Sequence, residues 1–313
     1  MMNDSNLGKL EELIDEVSKV LLGKREVIKL TLTAILSGGH VLFEDVPGVG
    51  KTLLVKTISK TIQCDYNRIQ FTPDLLPNDI IGVSIYDTKD QSFKFHKGPI
   101  FTSILLVDEI NRATPKTQSA LLEAMAEKEI TIDNATYELS PHFTVLATQN
   151  PVEHEGTYSL PEAQLDRFLL KLKIGYPSFE DELQLILGEE RTLIEVNPVM
   201  TVTELIELKK QVKAVFVHEK VARYALRLVQ KTREHEGILL GVSPRGSEDF
   251  MRAAKAYALI EGRQYVVPKD LQQILPYCFS HRIKLKNNHQ PDDKLIATMM
   301  TEIIENVPIP IER

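Results

Sequence analysis

Short apolar runs and amphipathic stretches alternate along the first part of the chain. Residues 40–44, 67–71, 104–108, 143–148 and 169–173 each read as a strand, and the run Ile104-Leu105-Leu106-Val107 is apolar at every position, as in a strand covered on both faces. Helical spacing fills 51–62 and 115–126, the second announced by Thr114 as N-cap and Pro115 at the first helical position. Such alternation predicts a parallel sheet with helices on both faces and a ligand at the C-terminal strand ends. Ahead of it, residues 7–36 read as helical. Leu10, Leu13, Ile14, Val17, Val20 and Leu21 share one stripe, Gly23 breaks it, and Val27, Leu30, Ala34 and Ile35 resume it.

Two segments interrupt the scheme. Between Gly82 and Gly98, Val83-Ser84-Ile85-Tyr86 and Phe93-Lys94-Phe95 flank a polar turn like a hairpin, and Glu129 to Leu139 repeats the idea around Asp133-Asn134. After Tyr176-Pro177-Ser178 the strand signals stop, and 179–191, 201–213, 218–233, 247–261 and 268–277 read as helices, with Gly262 a C-terminal cap. The expected fold is therefore α/β: a five-stranded parallel sheet with helices on both faces over residues 1–176, then a smaller all-helical region over 177–313. Tyr224, Leu228, Tyr257 and Ile260 fall on the core faces of these later helices.

Candidate chemistry sits at two strand ends. The run from His40 to Glu44 leads into Asp45-Val46-Pro47-Gly48-Val49-Gly50-Lys51-Thr52, and the run 104–107 ends in Asp108-Glu109. Nucleotide phosphates are densely anionic, so a loop that binds them must bring backbone N–H groups close, and Gly48 and Gly50 permit this by lacking a Cβ. Lys51 is placed to neutralise the β- and γ-phosphates, Thr52 to ligate Mg²⁺, and the helix beginning near Lys51 adds its N-terminal partial charge. Asp108 can hold the metal through water and Glu109 can polarise the attacking water. These residues imply Mg²⁺-dependent hydrolysis of a nucleoside triphosphate. One position departs from the general G-x-x-x-x-G-K-[ST] pattern, because Asp45 stands where the first glycine would be. Its carboxylate either hydrogen-bonds the loop from within or weakens phosphate binding by repulsion.

Bulk properties narrow the picture. The chain has 313 residues, 43% hydrophobic and 26% charged, and a net charge of −7, which gives no global attraction to nucleic acid. Arg282, Lys284 and Lys286 form the densest basic alternation and read as a solvated face. Met1-Met2-Asn3-Asp4 lacks the marks of a secretory leader, and the uncharged stretch Leu30 to Phe43 is too short and too polar to span a bilayer, so a cytoplasmic location is expected. Cys64 and Cys278 are isolated, and the histidines show no H-E-x-x-H spacing, which leaves no zinc motif. The segment 241–246 misses the G-x-S-x-G spacing of a hydrolase nucleophile.

The residues resemble the AAA+ ATPases and, within them, the MoxR family. Carrying the resemblance are Gln70-Phe71-Thr72-Pro73-Asp74-Leu75-Leu76-Pro77, Gly98-Pro99-Ile100, Ala147-Thr148-Gln149-Asn150-Pro151 and Leu160-Pro161-Glu162-Ala163-Gln164-Leu165-Asp166-Arg167-Phe168. The resemblance implies ATP as the nucleotide. Asn150 matches the sensor-1 residue that orients the lytic water, although an Asn before Pro151 also suits a turn. Arg167 matches the arginine finger that reaches a neighbouring subunit's nucleotide, with an ion pair to Asp166 or Glu162 as its other reading. Arg245 matches sensor 2, acting on its own or a neighbour's nucleotide, and Gly23 matches the segment bordering the adenine. The two hairpins match the helix-2 insert (82–98) and the pre-sensor-1 hairpin (129–139); Tyr86, Phe93, Lys94, Phe95 and Lys97 either grip a polypeptide or pack on the core. The resemblance further implies a homo-oligomeric ring, hexameric by expectation, and a chaperone that remodels or matures partner complexes, often with von Willebrand factor A domains or metalloenzymes. A nucleic-acid-stimulated motor and a slow nucleotide-gated scaffold are the alternatives.

Overall fold

The computed structural model describes residues 4–133, 135–151, 156–187, 195–286 and 293–310. Two helices, α1 (Asp4–Val20) and α2 (Arg25–Leu36), precede strand β1 (Val41–Glu44), and α3 (Lys51–Thr61) leads to β2 (Tyr66–Gln70). After the short α4 (Pro77–Ile81) come the hairpin β3 (Gly82–Asp87) and β4 (Ser92–Lys97), then β5 (Ile104–Asp108) and α5 (Pro115–Glu127). A second hairpin, β6 (Glu129–Ile132) and β7 (Ala135–Glu138), precedes β8 (Thr144–Gln149), the turn α6 (Glu162–Leu165) and β9 (Leu170–Leu172). Each of the five expected strands forms within a residue or two of its expected bounds.

These five make one parallel sheet in the order β2-β5-β8-β1-β9. All five residues of β5 are buried, which is why its sequence shows no alternation. One apolar cluster gathers α1, α2, α3 and the later helices around Phe43 and Leu106, and a second packs Leu105, Val107 and Phe143 under α5.

The first hairpin divides along its length. At its base Phe95 packs against Phe101 and Tyr137, with ring centroids 5.7 and 4.3 Å away, and Lys97 lies over the Phe101 ring. Toward the tip Tyr86 and Phe93 meet only edge to face and remain 50% and 72% exposed, while Lys94 pairs with Asp87 and Asp90. Its neck is tight. A Cβ on Gly82 would lie 2.3 Å from the His96 carbonyl oxygen, and Gly82 has φ of +107°, so only glycine fits there.

Beyond the sheet follow α7 (Phe179–Leu187), α8 (Val202–Ala214), α9 (Glu219–Glu234), α10 (Pro244–Ile260), α11 (Pro268–Phe279) and α12 (Asp293–Asn306). The end of the helix expected over 179–191 lies outside the described residues. Thr201 and Glu204 form a reciprocal capping box on α8, and Ser243 Oγ accepts from Gly246 N at 3.0 Å to cap α10. Tyr224, Leu228, Tyr257 and Ile260 are buried, as their spacing predicts.

The structure corrects the sequence reading in three places. Strands do not stop after residue 178, because β10 (Ile238–Leu240) and β11 (Lys284–Leu285) pair antiparallel; two and three residues are too few to leave a period. The helix α12 was not expected. Finally, Arg282 is no part of a solvated face: its side chain is 1% exposed. Nε donates to Asp166 Oδ1 at 2.7 Å, Nη2 to Asp249 Oδ2 at 2.8 Å, and further bonds reach the carbonyls of Phe168, Leu169 and Cys278. Lys284 instead lies at the surface, paired with Glu162 at 2.6 Å.

Burial holds the Asp249 carboxyl above its ordinary range even with Arg282 beside it, so this cluster cannot lose its cation without cost. Arg282→Met is expected to lower unfolding free energy by about 3–5 kcal/mol, because it strands a buried carboxylate. A urea titration of the variant measures it.

Candidate active site

The loop after β1 takes its shape from glycine. Gly48 and Gly50 have φ of +86° and +95°, a left-handed backbone open to glycine at little cost, and Gly50 is the residue from which α3 departs. Lys51 folds back over the loop, its Nζ donating to the carbonyl oxygens of Asp45 at 2.8 Å and Val46 at 3.1 Å. Burial lowers the Lys51 pKa, and the nearby Asp45, Asp108 and Glu109 oppose that shift. The Asp45 carboxylate is committed to backbone: Oδ2 accepts from Ile174 N at 2.6 Å and Gly175 N at 2.8 Å, and Oδ1 from Val46 N at 3.2 Å. It thus straps the ends of β1 and β9 together, and only its contact with Val46 lies within the loop.

The acidic pair leaves β5 beside this loop. Asp108 Oδ2 accepts from Arg68 Nε at 2.6 Å and Oδ1 from Thr148 Oγ1 at 3.3 Å. Glu109 adopts φ of +56°, an uncommon conformation for a residue with a side chain, and its backbone N donates to the same Thr148 hydroxyl at 2.9 Å. Its Oε2 accepts from Gln70 Nε2 at 2.7 Å and Arg112 Nη1 at 2.9 Å. The turn therefore aims Glu109 away from the strand, where β2 and the turn after β5 hold its carboxylate.

A cavity of about 400 Å³, of the size that takes a small ligand, opens at the C-terminal ends of β1, β5 and β8. Of the residues singled out in the sequence, Asp45, Pro47, Gly48, Gly50, Lys51, Thr52, Asp108, Glu109 and Asn150 line it. Asn150 follows β8 directly and is buried. Val49 does not line the cavity and packs partly buried against the core. Gly23 also stands outside it, on the turn between α1 and α2, where a Cβ would lie 2.2 Å from Asp181 Oδ2. That turn nevertheless borders the loop, since a Cβ on Gly50 would lie 3.0 Å from Leu21 Cδ1.

Neither arginine joins the cavity within this chain. Arg167 precedes edge strand β9, at the opposite end of the sheet from the cavity, and has no ion-pair partner among the described residues. Its two alternative partners are taken: Glu162 pairs with Lys284 and Asp166 with Arg282. Arg245 is exposed in the first turn of α10, whose cap Ser243 donates from Oγ to Asp166 Oδ2 at 3.0 Å. The chain segments that carry the two arginines are thereby in contact.

Four further residues complete the arrangement. Arg68 and Gln70, two apart on β2 and so on one face, reach Asp108 and Glu109, while Thr148 and Arg112 hold the same acids. Thr148 shows in the sequence only as a polar residue near the end of an apolar strand, and Arg68, Gln70 and Arg112 only as polar residues in β2 and in the turn after β5. The site fits a hard divalent cation, because Thr52 and Asp108 present oxygen donors. Among the described residues no group of three or more His, Cys, Asp or Glu could hold a metal, so the remaining ligands would be phosphate and water, the habit of Mg²⁺.

Residues 40–170 match the ATPase family associated with various cellular activities (AAA), and residues 230–305 match the AAA lid domain. Chaperone MoxR1 of Mycobacterium tuberculosis is 40% identical over 96% of this chain and 82% of its own length. The chain belongs to the MoxR family of AAA+ ATPases. YeaC of Bacillus subtilis is 48% identical over 97% of this chain and 96% of its own. A crystal structure described as an ATPase from Cytophaga hutchinsonii superposes with a TM-score of 0.88 at 40% identity, covering 98% of this chain and 96% of that one.

For this MoxR-family chain the pinning of the acids by Thr148 is directly measurable. Thr148→Val keeps the shape but leaves the Glu109 N–H and a buried Asp108 oxygen without their partner, an expected loss of about 1–3 kcal/mol in urea unfolding. Gln70→Ala, at an exposed position, is expected to change stability by no more than about 0.5 kcal/mol.

Proposed function

We propose that this protein hydrolyses ATP with Mg²⁺ and couples the cycle to remodelling or maturation of partner protein complexes. The observation that carries this reading is the convergence of Lys51, Thr52, Asp108, Glu109 and Asn150 on one cavity. When bound, Mg²⁺ would neutralise charge between the β- and γ-phosphates. Lys51 and the amides of the 45–50 loop would hold those phosphates, and Thr52 with Asp108 would hold the metal, Asp108 partly through water. Glu109 would polarise the attacking water and Asn150 would orient it, with Gln70 and Arg112 fixing where the Glu109 carboxylate stands.

Arg167 cannot reach the cavity of its own chain, which supports a role in the cavity of a neighbour, and Arg245 shares its region and that role. Such an arginine contributes about 10³ to 10⁵ in rate in other NTPases. A ring of subunits, six by expectation, follows from this reading. It agrees with the apolar surface of α7, where Phe179, Ile186 and Leu187 are 79%, 76% and 69% exposed in the single chain. The exposed Tyr86 and Phe93 at the hairpin tip would then face a client polypeptide.

The name of the mycobacterial relative supports a chaperone role, and a partner with a von Willebrand factor A domain is the class the family resemblance suggests. Among the described residues no helix is long and apolar enough to cross a membrane, and we assign the cycle to the cytoplasm. The net charge of −7 speaks against a nucleic-acid motor, which would show salt-sensitive stimulation by single-stranded DNA.

Glu109→Gln is expected to cut ATP turnover by about 10²-fold or more while leaving nucleotide binding intact. Unchanged turnover would favour the nucleotide-gated scaffold. Arg167→Ala should lose turnover by about 10³-fold without weakening ATP binding to the isolated chain. Mixing it with Lys51→Ala subunits should restore part of the activity, because some interfaces then hold an intact loop and an intact arginine. No recovery on mixing would refute action across an interface.

A further inference from the structure

Away from the nucleotide cavity, where the chain enters β1 and β8, helices α8 and α10 meet the core around a second cavity of about 740 Å³. Its lining is strongly cationic: Lys128 closes α5, Lys209, Lys210 and Lys213 come from α8, and Arg252 and Lys255 come from α10. Glu248 is the one carboxylate of that lining. Three of the six cations are already engaged. Arg252 pairs with Asp249 at 2.7 Å, Lys210 lies 3.5 Å from Glu207, and Lys255 donates to the Lys213 carbonyl oxygen at 3.2 Å.

Lys128, Lys209 and Lys213 have no carboxylate partner among the described residues. Lys209 is the most informative, because its Nζ is sealed from solvent and meets no hydrogen-bond partner. An ammonium in that position is costly unless an anion compensates it. The electrostatics agree with the geometry. Burial first, and then Lys128, push the Lys209 pKa down to about 8, and burial followed by Arg252 and Lys213 lowers that of Lys128. The rest of the wall includes apolar side chains, Leu36, Ile206, Val212 and Met251.

We propose that this cavity binds a phosphorylated small molecule of nucleotide size, with its phosphates against the exposed Lys128 and Lys213, in the field of the Lys209 ammonium behind them, and its uncharged part against Leu36, Ile206 and Met251. The volume lies within the range of small-ligand pockets. Lysine ammonium groups are compact point charges suited to phosphate, whose charge is concentrated enough to answer three of them at once. The cations surround a concavity instead of following a track, which disfavours a nucleic-acid strand, and an acidic peptide would spread single charges along an extended backbone. Because Leu36 and Lys128 belong to the core while Lys209 and Met251 belong to the later helices, the ligand would tie the two together.

Calorimetric titration of full-length Lys51→Ala protein, whose phosphate loop is disabled, tests this. The probes are inorganic pyrophosphate, guanosine diphosphate, an octaglutamate peptide and an eight-residue oligothymidylate. We expect saturable one-to-one binding of pyrophosphate or guanosine diphosphate that weakens by about tenfold or more when Lys128→Met and Lys209→Met are added, a loss of about 1.4 kcal/mol or more. Lys213→Glu, at an exposed position, should weaken it as well and guards against misfolding of the methionine variant. Absence of binding by both phosphorylated probes, binding unaffected by Lys213→Glu, or tighter binding of the peptide or oligonucleotide would overturn the proposal.

Discussion

The placement of β8 between β1 and β5 is the constraint on which the candidate site depends. Parallel strands cannot be joined by tight turns, so each needs a long crossover, and all three chains leave the sheet at the same edge. The register sets the detail. Phe43 lies opposite Thr148 and Val107 opposite Ala147, which puts the Thr148 hydroxyl beside Asp108 and the loop after β1 beside both. Residues from three distant stretches of chain thereby share one cavity.

Strain and restraint meet at Glu109. Its left-handed backbone is held by one hydroxyl behind it, and its carboxylate by an amide from β2 and a guanidinium from the following turn. Arg68 treats Asp108 in the same way. The edge strand β2 therefore reports on both acids: a shift of that strand would move Arg68 and Gln70 together, because they lie on one face. Such coupling needs no additional element, only the pairing of Gln70 with Asp108 in the sheet register.

A second organising contact lies at the other end of the sheet. Arg282 sits where the chain leaves α11 and binds Asp166, Asp249 and the carbonyls of Phe168 and Leu169. Buried charge clusters of this kind are weak sources of net stability and strong sources of geometric definition. Here the definition falls on residues 166–169, the segment that carries Arg167, and on the start of α10, which carries Arg245. Asp166 is committed to Arg282 and Glu162 to Lys284, so neither of these carboxylates pairs with Arg167.

The sheet strands, the loop 45–52 and the acids 108–109 were legible because each is a local pattern: a fully apolar run, a glycine pair before Lys-Thr, a carboxylate pair after Val107. Periodicity also found most of the longer helices, but not α12, although Ile296, Met299, Met300 and Ile303 form an apolar stripe along it. It missed β10 and β11, which are too short to show alternation, and it misjudged Arg282, since alternating cations look alike in sequence whether they meet solvent or the carboxylates of Asp166 and Asp249. Arg68, Gln70 and Thr148 were beyond its reach for the same reason, because their roles exist only once strands are paired in register. By itself the sequence determined which segments become strands and which residue types could handle a triphosphate, through short-range propensity and chemistry. Only the tertiary structure decided which side chains face one another, that Asp45 turns to the backbone of residues 174 and 175, and that Arg167 stands apart from its own cavity, because those outcomes depend on strand order and on contacts between residues far apart in the chain.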